Sequence, residues 1–155
     1  MATSDRRGRA LRDFHALLPS DTLTYQGDRW VSTFIVLLSV VATVRSLIHI
    51  FREDGGASSI AGIDIEIEGG QNLIAIFAQW GLVQLLQAGI AWIVVIRYRG
   101  LIPLILLISL LENIGRIAVG QSKPLDVAKP PPGAHGSRFI LLPLALALWC
   151  SLPRR

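Results

Sequence analysis

Between Leu101 and Val119 the chain is an almost unbroken run of apolar residues, yet it carries Glu112, Asn113 and Arg116 inside that run. A stretch this long and apolar predicts a helix that crosses a membrane. Ionisable side chains are costly to hold in hydrocarbon, so those found there mark a functional site by default. Ser109, Glu112, Asn113 and Arg116 follow the spacing i, i+3, i+4, i+7, which puts all four on one face of the helix. Any fold for this chain has to give that face something to touch.

Composition generalises the point. Of the 155 residues 52% are hydrophobic and only 17% charged, where a soluble domain carries nearer a quarter charged. The apolar residues fall in four blocks, predicted as spans over about 30–50, 72–96, 101–119 and 139–152. Residues 1–29 and 153–155 are read as tails. The fold class that follows is an all-α integral membrane protein, a four-transmembrane-helix bundle. No cleavable leader is expected, because the first apolar block begins only at Trp30 and lacks a small-residue cleavage site. The net charge of +4 does not point to nucleic acid, since the basic residues flank apolar blocks where membrane topology places them.

The connecting segments have their own patterns. Ala10, Leu11, Phe14, Leu17 and Leu18 recur at helical spacing opposite Arg6, Arg9, Arg12 and Asp13. Two readings fit: an amphipathic helix lying in the headgroup region, or a loose tail with chance periodicity. In the 51–71 loop, residues 63–68 alternate Ile-Asp-Ile-Glu-Ile-Glu between glycines, which predicts a short extramembrane β-strand. A lone strand needs a partner, either the 120–138 loop or another subunit. Its three carboxylates stand about 7 Å apart step by step, a solvated acidic face and not a calcium site. The last block is about 21 Å long as a helix, short of the roughly 30 Å of hydrocarbon, and contains Pro143. It spans by local thinning, borrows turns from before Phe139, or only dips into the membrane, and spanning is favoured because the terminal arginines supply an anchor.

With four crossings, nine Lys and Arg flank one side of the membrane and four the other. The positive-inside rule then puts both termini in the cytoplasm of a bacterial inner membrane. In that orientation Arg45, His49, Gln79, Glu112 and Arg116 all fall in the outer half of the bilayer, while the inner half is mostly Leu, Ile and Val. Glu112 and Arg116 can pair within their helix, which leaves Arg45 in need of a counter-ion.

Three outcomes fit this convergence, one of them a contact with another subunit. One is an ion-pair network that fixes helix register. Another is a pocket for a lipophilic or anionic-headgroup ligand, with Gln79, Ser109 and Asn113 lining it. As an enzyme, Glu112 would be the acid or base, Arg45 and Arg116 the anion stabilisers and His49 the helper. His15, His49 and His135 are dispersed, Cys150 is the single cysteine, and no phosphate-binding glycine loop occurs. No metal, cofactor or disulfide is therefore expected.

Four blocks, a basic turn between the middle pair, and Leu-Glu-Asn-Ile-Gly-Arg at 111–116 resemble small bacterial DoxX-like membrane proteins. The resemblance implies a four-helix inner-membrane bundle and transfers no catalytic residue. The sequence is read first as a non-catalytic structural or accessory subunit with protein partners or a second copy. The alternative is a small membrane enzyme or binding protein for a lipophilic substrate.

Overall fold

The structure, a computed structural model, describes residues 12–127 and 132–154. It is all-helical: α1 covers Arg29–Phe51, α2 Gly70–Ile96, α3 Ile102–Ser122, α4 Pro132–Phe139 and α5 Leu141–Ser151. The first two and Arg99–Ser122 are long and apolar enough to cross a membrane, as is expected of a membrane protein. At most 22% of the most apolar stretch of each is buried within the protein. The remaining apolar surface suits lipid, since exposing it to water would be unfavourable.

The segment predicted as a strand takes no regular structure at 62–65 and bends at 66–67. No strand forms among the described residues. The reason is the missing partner: without a second extended segment an alternating pattern has nothing to satisfy its amides, and the Glu66 amide instead donates to Asp64 Oδ1 at 2.9 Å. The amphipathic N-terminal reading lies partly outside the described residues. Its described part is one 3₁₀ turn, Phe14–Leu17.

The fourth apolar block is two helices in tandem. Pro143 has no N–H, and its ring crowds the carbonyl four residues back, that of Phe139. The chain breaks there, with Ile140 as a one-residue joint whose amide still reaches the Gly136 carbonyl at 3.0 Å. Together α4 and α5, residues 132–151, would make about 30 Å of helix.

Backbone hydrogen bonds fix which ends lie together. The Asp28 amide donates to the Cys150 carbonyl at 3.0 Å, and the Gly100 amide to Thr22 at 2.9 Å. The start of α1, the α2–α3 turn and the end of α5 therefore share one end of the bundle. There Arg12, whose side chain is only 7% exposed, donates to the Leu152 carbonyl at 2.5 Å. It also stacks over Trp149. The buried apolar core lies toward the same end: Val31, Ile35, Val94, Ile102, Leu106 and Leu144 interlock α1, α2, α3 and α5. At the opposite end the helices part.

Candidate functional site

The α1–α2 contact is close because small residues meet in it. Ser39 and Ser46 of α1 are buried and return their hydroxyls to Ile35 and Ala42 carbonyls, so neither needs a partner across the interface. Opposite them stand Gly81, Ala88 and Ala91, the kind of surface that lets two membrane helices approach. A Cβ on Gly81 would sit 2.6 Å from His49 Cβ and 3.1 Å from the Ser46 carbonyl. This approach carries His49 into the flank of α2, against Phe77 and Trp80 at centroid distances of 5.6 and 5.2 Å.

One turn earlier on α1, Arg45 reaches across the same seam. Its Nη2 donates to Gln84 Oε1 at 2.5 Å, and its guanidinium lies 5.7 Å from the Trp80 ring centroid. From α3, Arg116 comes to 5.0 Å from the same ring. Trp80 thus offers its π-face to two cations, an arrangement worth about 0.5–2 kcal/mol for each. Arg116 also pairs with Glu112 one turn back on α3. The second Glu112 oxygen accepts from Asn113 Nδ2 at 3.3 Å, and the same nitrogen donates to the Ser109 carbonyl at 2.9 Å.

Beyond these residues the parted helices enclose a cavity of about 320 Å³, roofed by the loop after α1 and flanked by α4. Arg45, His49, Trp80 and Arg116 line it together with Ser137 and Arg138 of α4. Most of its remaining wall is apolar, from Ile60, Phe77, Ile117 and Leu125. His49 Nδ1 lies 2.7 Å from the Gly55 carbonyl. A carbonyl only accepts, so Nδ1 carries the proton and Nε2 remains for the cavity. Ser137 is 6% exposed and its hydroxyl makes no hydrogen bond among the described residues.

Asp54 shapes the roof. Its Oδ1 accepts the Gly56 amide at 2.9 Å and its Oδ2 the Ser59 amide at 2.6 Å, with Arg52 Nε at 3.3 Å. Burial pushes the Asp54 carboxyl up, but the bonds from Ser59 and Gly56 and the Arg52 charge outweigh it. The net effect holds the group well below the usual carboxylate range. Gly56 turns the chain at φ +76°, and a side chain there would press on Ile60 and the His49 ring.

No family model, curated protein or solved structure matches this chain. The geometry therefore has to speak for itself. Of the residues singled out in the sequence, Arg45, His49 and Arg116 meet at the cavity. Glu112 and Asn113 stand behind Arg116, and Ser109 supplies a backbone carbonyl. Gln79 is exposed and joins nothing in the group. Three participants were missed: Trp80, Gln84 and Arg138. The signal for the first two was present, because Phe77, Trp80, Gly81 and Gln84 repeat at i, i+3, i+4, i+7 and share a face. Gln79 is one residue, about 100°, away from that face.

Charge accounting is uneven. Arg45, Arg116 and Arg138 stand against the one carboxylate of Glu112, whose oxygens are both engaged. Arg138 has no acceptor among the described residues. Gln84 Nε2 is buried without a hydrogen-bond partner among them, an arrangement that costs about 1–3 kcal/mol. The chain tolerates that cost where Oε1 holds Arg45 in place.

Proposed function

We propose that this protein is a non-catalytic membrane protein that holds an amphiphilic anion in the outer half of the bilayer. The observation that carries the reading is the cavity itself: largely apolar walls with three guanidiniums converging on it and one carboxylate nearby. An apolar chain would lie against Phe77, Ile117 and Leu125 while its anionic head meets Arg45, Arg116 and Arg138. Catalysis is less well supported. Glu112, the group best suited to move a proton, stands off the cavity wall with both oxygens occupied.

In the same proposal α4 and α5 together make the fourth crossing, and both termini are cytoplasmic. The support is the shared end of α1, α5 and the basic Arg97–Arg99 turn, which gathers the arginine-rich parts of the chain on one side. Native mass spectrometry of the purified full chain, offered equal amounts of anionic, zwitterionic and neutral amphiphiles, tests the function. Selective retention of the anionic species, weakened in Arg138→Gln, is expected. Equal retention of all three would end the reading.

The accessory-subunit reading draws on residues 62–68, which carry exposed Ile67 and three exposed carboxylates without an ion-pair partner among the described residues. A stoichiometric second chain that co-purifies through that segment, and is lost when it is replaced by Gly-Ser, would favour it.

A further inference from the structure

We infer that the head of the bound molecule is a phosphate monoester carried on a lipid-like chain. The inference rests on the amphiphile reading above and narrows it by charge. Arg45, Arg116 and Arg138 supply three positive charges at the cavity, and Glu112 removes one, leaving an excess of two. A carboxylate or a phosphodiester brings a single negative charge and leaves one of the two excess positive charges at the cavity unmatched. A phosphate monoester carries about −1.5 to −2 at neutral pH and offers three oxygens.

The donors around the cavity fit that head. Each guanidinium has five N–H groups in a planar fork suited to paired phosphate oxygens. Arg45 spends a donor on Gln84, Arg116 spends one on Glu112, and Arg138 spends none among the described residues. The Ser137 hydroxyl, in a residue 6% exposed, faces the same space without a hydrogen bond among those residues. A bare phosphate would leave most of the wall unmatched, since the larger part is apolar. About 320 Å³ takes a head and roughly six carbons, taking a water's ~30 Å³ share as the unit. The rest of a longer chain would pass out among the lipid tails.

The test is a competition on the purified full chain in neutral detergent, with four probes: monododecyl phosphate, dodecanoate, dihexyl phosphate and inorganic phosphate. Binding of the monoester at least tenfold tighter than of the other three is expected. Arg138→Gln, a change at an exposed position, should erase most of that preference, weakening the monoester by a larger factor than dodecanoate. Equal binding of monoester, diester and carboxylate would overturn the phosphate assignment and leave the amphiphile reading standing. Inorganic phosphate binding as tightly as the monoester would overturn the chain-bearing ligand in favour of a soluble phosphate. Failure of all four probes, with the protein folded by circular dichroism, would sink both inferences together.

Discussion

Two glycines on one helix separate packing from propensity at the level of single residues. Gly81 faces α1 at a distance no side chain could share, whereas a Cβ at Gly89 would meet nothing within 4 Å. Gly81→Ala is expected to cost about 1–3 kcal/mol by overpacking and to displace His49 from the cavity. Gly89→Ala should leave stability unchanged or raise it by roughly 0.5–1 kcal/mol. Thermal unfolding of the two variants side by side reads the difference. Asp54 gives a pH signature. Because its folded-state carboxyl is held below the ordinary value, its contribution is present above about pH 4 and drains away as the pH falls from there through the depressed value. Asp54→Asn should lower the thermal midpoint by about 3 °C at neutral pH and flatten its fall below pH 4. The sequence placed Arg45, His49 and Arg116 together, because depth along ideal helices is enough for that. It misplaced the glutamine. Gln79 and Gln84 are five residues apart, about 140° in helical phase, so only one could face Arg45. The deciding fact was the close approach at Gly81, which depends on what α1 presents opposite.

At the scale of elements, the joint at Ile140 is where local chemistry overrides the apolar pattern. The block was legible as one greasy stretch, but its length came out short because the polar turn of α4 does not read as membrane helix. Pro143 lies in the first turn of α5, where a missing amide costs little, so the two helices are each comfortable and only their connection is weakened. Pro143→Ala restores a donor for the Phe139 carbonyl and should stabilise the protein by about 1 kcal/mol. Straightening the joint would also move Ser137 and Arg138 relative to α3, so anion binding should weaken as the thermal midpoint rises. Opposite signs in the two measurements are the diagnostic. The 63–68 segment teaches the converse lesson: alternation with β-branched residues is a statement about burial on one face, and without a neighbouring strand it produces no sheet.

For the whole molecule, the layout is a solid apolar core at one end and, at the other, a cavity of largely apolar walls to which three arginines contribute. At the packed end the core is Leu, Ile, Val and Ala, and the charged side chains Arg45 and Arg116 line the cavity away from it. The proposed orientation is checked in a Cys150→Ser background. Ser59→Cys, on the exposed roof loop, should react with an impermeant maleimide in intact cells, while Ser20→Cys should react only after the membrane is opened. The reverse pattern would invert the molecule.

The pairing of Arg12 with Arg154 has a consequence for chain connectivity. At the two ends of the described chain, residues 12–13 and 153–154 run antiparallel, with the Asp13 amide on the Pro153 carbonyl at 3.1 Å, as the arms of a hairpin do just before its turn. An Asn-Gly insert suits such a two-residue closure. The order of the helices could then be rewritten by joining Arg154 to Arg12, with residues 1–11 and 155 removed, and cutting between Asp126 and Val127, to give a circular permutant that keeps the contacts among helices α1 to α5 while its new ends open on the opposite face.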